Sequence, residues 1–199
     1  SSYRNKVYSM PVNLHTINKI HNKNFSPDQA IKYFKKIISK KKSRNLEEQA
    51  VNFVGSKIYN KLIKGFTSKQ WQMNPKLLPS SIINRLPIRY NYNDFYFDDI
   101  YQGIPIDGYT PIFEKLLQKS EVHLNCDFFK NRDYFLKKSK KIIYTGPLDM
   151  YFDYSFGQLG WRSLKFKLKK LKNNDFQGTS VMNYSDIRVK YTRIHEPKH

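Results

Sequence analysis

Residues 75–97 read "PKLLPSSIINRLPIRYNYNDFYF", and the fold turns on them. Before this stretch the apolar residues recur every three or four positions. After it the spacing falls towards two. Pro75, Pro79 and Pro87 forbid one regular helix here, so a connector with a short helical piece is expected. The tail of the stretch, "IRYNYNDFYF" (88–97), alternates in part and is rich in aromatics. That composition suits a strand on a half-buried sheet.

Upstream, residues 26–72 read as helical. In "SPDQ" Ser26 can cap, Pro27 suits the first turn, and Gln29 can reach back to complete a capping box. Ile31, Phe34 and Ile38 then share one face. "NLEEQAVNFVG" repeats the design, with Asn45 as cap, Glu48 in the box position and Gly55 as the stop. A third helix turns Ile58, Leu62 and Ile63 inward.

Downstream, "GIPIDGY" (103–109) is a turn, and "TPIFEKLLQK" (110–119) is a short helix capped by Thr110 with Pro111 in its first position. "EVHLNC" (121–126), "KIIYTG" (141–146), "LGWRSLKFKLKKL" (159–171), "TSVMNY" (179–184) and "VKYTRI" (189–194) are expected strands. The fold class is therefore α+β. Residues 1–25 form a lead-in of strand and turn, 26–87 a helical domain with a mobile connector, and 88–199 a mainly antiparallel sheet domain with short helices. A complete doubly wound domain is excluded, because no G-x-G-x-x-G loop occurs.

The 199 residues carry a net charge of +20, from 36 basic and 16 acidic side chains. Such a surface attracts anions. The lysines are spread over solvated faces rather than gathered in one stripe, which argues against a dedicated nucleic-acid surface. The tightest runs, Lys40–Lys42 and Lys137–Lys141, suit loop or helix-end clusters. Nothing approaches the roughly 18 apolar residues of a membrane span, and the N-terminus lacks the apolar segment of a secretory signal. Cys126 is the only cysteine. An internal disulfide is impossible, and a reducing compartment, the cytoplasm, is the simple reading.

The five histidines lack ligand spacing, so no metal site is expected. No nucleophile motif stands out. Two features look like site material. "KGFTSKQW" (64–71) crowds aromatic, hydroxyl, amide and indole groups at the end of an amphipathic helix, although core packing explains Phe66 as well. Arg85, Arg89, Arg162 and Arg193 stand in lysine-rich surroundings. A guanidinium fork suits two-oxygen recognition of phosphate in a way that lysine cannot imitate. A surface ion pair accounts for each of them equally well.

The blocks "NLEEQA", "LIKGFTSKQWQ", "RLPIRYNYN", "YFDDIYQGIPIDGYT", "YTGPLDMYFDYSFGQLGWRSL", "FQGTSVMNYSD" and "YTRIHE" resemble UDP-galactopyranose mutases of the bacterial type, in the same order along the whole chain. The resemblance implies an isomerase that interconverts UDP-galactopyranose and UDP-galactofuranose with reduced FAD. The flavin N5 attacks the anomeric carbon and displaces UDP, so the cofactor carries the covalent chemistry.

By the same resemblance Arg85, on a mobile loop, and Arg193 hold the substrate diphosphate. Trp71, Thr67 and Tyr96 line the cleft. Asn183 lies near UDP, and Phe66 stacks on uracil where many members have tyrosine. Arg162, Gly146 and Cys126 fall on the flavin side. Members begin with a strand–loop–helix carrying the pyrophosphate glycines and continue past "HE" with further sugar-site residues. The resemblance thus implies the middle of the enzyme, as a fragment or a naturally shortened version. On its own such a chain is expected to be inactive and to keep no FAD. A longer parent chain, or a partner supplying the flavin domain, would complete the site, and a homo-oligomer is a further expectation. An inactive mutase-derived interaction module is the alternative.

Overall fold

The computed structural model describes residues 1–38 and 42–199, so Lys40 and Lys41 of the first basic run lie outside the described residues. The lead-in holds more order than strand and turn. Strands β1 (Ser2–Tyr3) and β2 (Lys6–Val7) pair antiparallel. Helix α1 (Leu14–His21) follows, a correction to the sequence reading. Asn13 caps it, accepting the Thr16 N–H at 3.2 Å. Eight residues are too few to sustain a helix in water. The fully buried Leu14 and Ile17 supply the missing stability by packing.

Helix α2 (Pro27–Ile37) begins as its sequence demands. Ser26 Oγ accepts the Gln29 N–H, and Gln29 Oε1 accepts the Ser26 N–H. Ala30 and Phe34 are its fully buried pair. Helix α3 (Leu46–Ile58) is capped by Asn45, which accepts the Glu48 N–H at 3.0 Å. Glu48 does not close the expected box. Its carboxylate accepts the N–H of Arg44, one residue earlier, and pairs with that guanidinium. Gly55 breaks the helical backbone with φ 75° and ψ 160°, and the chain then resumes its helix. Glycine adopts that positive φ at no steric cost.

A five-residue π turn, Tyr59–Ile63, leads into helix α4 (Lys64–Trp71). Ile58, Leu62 and Ile63 are buried, as the periodicity predicts. Tyr59 is 2% exposed, and its hydroxyl donates to Glu47 Oε2 at 2.6 Å. Burial first, then the Glu47 acceptor and its charge, hold the phenol neutral far above its usual range. The proline-rich connector contains two short 3₁₀ turns, Pro75–Leu77 and Ser80–Ile83. The first is seated against α3 by Leu78, whose carbonyl accepts the Leu46 N–H at 2.9 Å.

The expected strand 88–97 reduces to one isolated parallel bridge, Val12 to Ile88. The asparagines explain the loss. Asn91 Oδ1 accepts the Asn93 N–H and Asn93 Oδ1 accepts the Phe95 N–H, so side chains take backbone donors that a ladder would use. Arg89 then pins the strap through its ion pair with Asp98 at 2.6 Å and a bond from Nε to the Phe95 carbonyl. An ion pair does account for this arginine, although its side chain is only 12% exposed against 80% for Asp98.

The described residues fall into two compact units, 1–98 with 162–199, and 99–161. The second unit holds α5 (Thr110–Leu116), α6 (Arg132–Lys138) and the short α7 (Leu148–Tyr151). Tyr109 rather than Thr110 occupies the cap position of α5. Phe128 packs on Phe135, Tyr144 and Tyr151 with centroids 5.3–6.2 Å apart. No residue of the unit is fully buried.

Stretches 121–126, 141–146 and 159–171 are not strands. Among the described residues no neighbouring segment offers them a hydrogen-bonded edge, and an extended chain cannot satisfy its own backbone. The last two expected strands form in part, 179–184 at Val181–Asn183 and 189–194 only at its end, where Arg193–His195 is extended. β3 (Val181–Asn183) pairs antiparallel with β4 (Arg193–His195) in the register Val181 to His195, Met182 to Ile194 and Asn183 to Arg193. The fold is α+β, and among the described residues the two sheets are antiparallel and two-stranded.

Candidate functional site

Helix α4 and the β3–β4 hairpin meet within the first unit, and three of the sequence-selected residues meet there. Arg193 opens β4. Its Nε donates to Asn183 Oδ1 at 2.7 Å, directly across the ladder. Its guanidinium carbon lies 5.6 Å from the ring centroid of Phe66 on α4, within cation–π reach. One nitrogen is thereby committed and the plane is set. Among the described residues no partner engages the two terminal nitrogens. They are the pair of donors that fits two oxygens of a phosphate.

The approach of the two elements depends on α4's small and cationic residues. A Cβ built on Gly65 would overlap the Ser185 carbonyl oxygen, so only glycine admits the hairpin this close. Four residues on, Lys69 Nζ reaches the carbonyls of Tyr184, Asp186, Val189 and Tyr191 at 2.6–3.0 Å. Burial lowers the ammonium's pKa, and the Asp186 charge raises it in part. Asp186 is itself held by Arg188, whose Nη2 stands 2.6 Å from Oδ2. The Arg188 side-chain bonds and N–H bring that carboxyl down to about 2.

Tyr184 and Tyr191 stack edge to face across the hairpin with centroids 4.8 Å apart. The N-terminal strand closes the other side. The Ser185 N–H donates to the Ser2 carbonyl at 3.0 Å, and Ser2 bridges Tyr184 in parallel.

The remaining selected residues stand as follows. Thr67 is buried in α4, 7% exposed. Trp71 ends α4, packs partly against the core, and its carbonyl accepts from Arg162 Nε at 2.9 Å. Arg85 is exposed just past the second 3₁₀ turn. Asn84 beside it is tied to α3 by the Gln49 amide at 3.1 Å. Tyr96 is 45% exposed and edge to face with Phe97. Gly146 and Cys126 belong to the second unit. A Cβ on Gly146 would overlap the Tyr144 ring, and the exposed Cys126 Sγ accepts from Asn131 Nδ2 at 3.8 Å.

Asp175, Glu196 and His199 gather within 4.8 Å. Their geometry is that of a structural cluster. Asp175 accepts the Gly178 N–H, and Glu196 accepts those of Phe176 and Gln177. No helix among the described residues is long and apolar enough to cross a membrane.

Sequence reasoning missed Gly65 and Lys69, although both sit inside "KGFTSKQW". A lysine in so lysine-rich a chain carries little signal by itself. The usable clue was its spacing, since Lys69 lies one turn beyond Gly65 on the same helix face.

Residues 61–199 match the sequence profile of the family described as UDP-galactopyranose mutase. The chain is 41% identical, over 98% of its length and 50% of the other, to a probable UDP-galactopyranose mutase of Klebsiella pneumoniae. It is 39% identical, over 98% and 54%, to a dTDP-fucopyranose mutase of Escherichia coli. A UDP-galactopyranose mutase of Mycoplasma genitalium is 30% identical over 77% and 42%. The chain therefore spans about half the length of the relatives it matches. A match of this extent, over the helix and hairpin just described, makes the chain a member of the UDP-galactopyranose mutase family.

Proposed function

We propose that this chain supplies the nucleotide-sugar cleft of a mutase that interconverts UDP-galactopyranose and UDP-galactofuranose. The observation that carries the reading is the Arg193 guanidinium, fixed by Asn183 and laid over Phe66 with its terminal nitrogens uncommitted. Those nitrogens bind the diphosphate oxygens of the substrate. They hold the leaving phosphate in one orientation while the sugar bond breaks and re-forms. Phe66 offers a flat apolar face to the base, and Trp71 a second one to the sugar side. Arg85 adds a second guanidinium when its connector closes. Tyr96 reaches phosphate with its hydroxyl.

Reduced FAD is the cofactor that the family resemblance implies for the complete enzyme. By the same resemblance Arg162, Gly146 and Cys126 would fall on the flavin side. Arg162 is engaged with the Trp71 carbonyl, the space beside Gly146 is filled by Tyr144, and Cys126 lies exposed in the other unit. The isolated chain is expected to carry no flavin absorbance after purification and to isomerise no sugar. The single exposed thiol is consistent with work in the reducing cytoplasm.

The similar identity to a dTDP-fucopyranose mutase supports a second substrate reading, a thymidine-linked sugar. Calorimetric titration with UDP and with dTDP distinguishes the two. Under the first reading UDP binds more tightly, and Arg193→Ala weakens it about tenfold or more. Tighter dTDP would move the assignment to the second. Equal heats from wild type and Arg193→Ala would refute the diphosphate role.

A further inference from the structure

We propose that Lys69 is a positioning residue for the diphosphate-binding guanidinium: its ammonium acts as the internal cation around which the 184–191 loop is folded. This rests on the reading of Arg193 above, but its geometry stands independently.

An ammonium has three N–H donors and no acceptor. Here it faces four backbone carbonyls, those of Tyr184, Asp186, Val189 and Tyr191, at 2.6, 3.0, 3.0 and 2.9 Å. The arrangement is that of a loop wrapped around a bound cation, with the cation delivered by a helix. Four carbonyl dipoles that converge repel one another unless a positive charge sits between them. Remove the charge and the loop has reason to open.

The opening would be felt at once by the site. The loop joins β3 to β4, and the ladder pair next to it is Asn183 with Arg193. The Tyr184 N–H to Thr192 carbonyl bond, at 2.9 Å, is the last link between the two strands before the clamp. Lys69 also lies on the same helix as Phe66, over which Arg193 rests. One helix thus supplies the surface under the guanidinium and the charge that shapes the hairpin carrying it. Lys69 touches no substrate. It acts through the loop.

The test uses the 199-residue chain. Lys69→Met keeps an unbranched side chain one atom shorter and removes its donors. Its expected effect is loss of amide exchange protection at Tyr184 and across β3–β4, with helical circular dichroism unchanged. UDP affinity should fall about tenfold, the loss set by a charge-assisted hydrogen-bond network.

Lys69→Ala leaves room for an added cation. Methylammonium should restore UDP binding to it, whereas tetramethylammonium, which has no N–H, should not. A purely structural contact would not make that distinction. Hairpin protection and UDP affinity both within about twofold of wild type in Lys69→Met would overturn the proposal.

Two controls separate the outcomes. If wild type gives no UDP heat, the diphosphate reading fails and hairpin exchange alone decides the role of Lys69. If the variants do not fold, lysine acetylation of the wild-type chain decides it. Lys69 should be protected while the exposed Lys64 reacts, and equal rates would overturn the clamp.

Discussion

Leu14, Phe34 and Ile58 are wholly hidden from solvent, whereas Ile100, Tyr101 and Ile106 are 91%, 92% and 101% exposed. All six are apolar. What separates them is the kind of backbone that carries them. A helix satisfies its own N–H and C=O groups, so an apolar stripe can collapse on any neighbouring helix. An extended segment needs a paired edge before its apolar side can be buried. Leu164, Phe166 and Leu168 alternate with lysines at a perfect strand period, yet they stand 64%, 80% and 98% exposed. The pattern is present and its partner strand is not among the described residues.

That contrast yields the largest expected effect. Phe34→Ala removes a fully buried ring that packs against His21, Tyr33 and Tyr90. It should destabilise the helical region by about 3–5 kcal/mol. Leu168→Ala should change stability by less than about 0.5 kcal/mol, because nothing covers Leu168. Urea denaturation followed by circular dichroism compares them. A cost above about 1 kcal/mol for Leu168→Ala would break the comparison and show that the segment is packed in solution.

Gly65→Ala comes next. Its Cβ would press on the Ser185 carbonyl, a backbone atom that a rotamer change cannot move. A cost of about 1–3 kcal/mol is expected, typical of overpacking. The hairpin should separate from α4 and UDP titration should weaken with it. Full UDP affinity in a stable variant would show that the two elements do not need this close approach.

Ser26→Ala sharpens the local side of the comparison. It removes the acceptor for the Gln29 N–H and should cost about 1 kcal/mol. Glu48→Ala, on a carboxylate shared with an exposed arginine, should cost less than Ser26→Ala by thermal melting.

How much was legible follows the same division. Ser26 and Asn45 act within four residues of themselves, so sequence alone placed two caps, whereas the stop expected at Gly55 is only a local break after which the helix resumes. Of the hairpin, strand character was legible at Val181–Asn183 and at Arg193–Ile194, while their pairing across ten residues was not read. Asn91 and Asn93 mislead, since an alternating aromatic pattern hides side chains that capture backbone donors. Of the site, Phe66, Asn183 and Arg193 were named in advance and meet. Beside them stand Gly65 and Lys69, whose contacts on the hairpin lie more than a hundred residues away. No local pattern encodes that distance.

The smallest effect concerns pH, and it probes the helical core from within. His21 is 8% exposed on α1. Its Nδ1 is 3.1 Å from the Tyr33 hydroxyl, and its Nε2 is buried without a partner. Burial foremost, then the charges of Lys57 and Lys61, push its pKa below the ordinary 6.5. The unfolded chain therefore takes up this proton at a higher pH than the folded one. The stability contributed by neutral His21 is full above pH 6.5, and it is lost as pH falls through that value towards the lower folded pKa. Melting temperature should decline between pH 7 and pH 5. His21→Phe, which keeps the edge-to-face contacts with Tyr33 and Phe34 but cannot take a proton, should flatten that decline. An unchanged slope in the variant would assign the pH response to other groups, and the orphaned nitrogen would then have found water in solution.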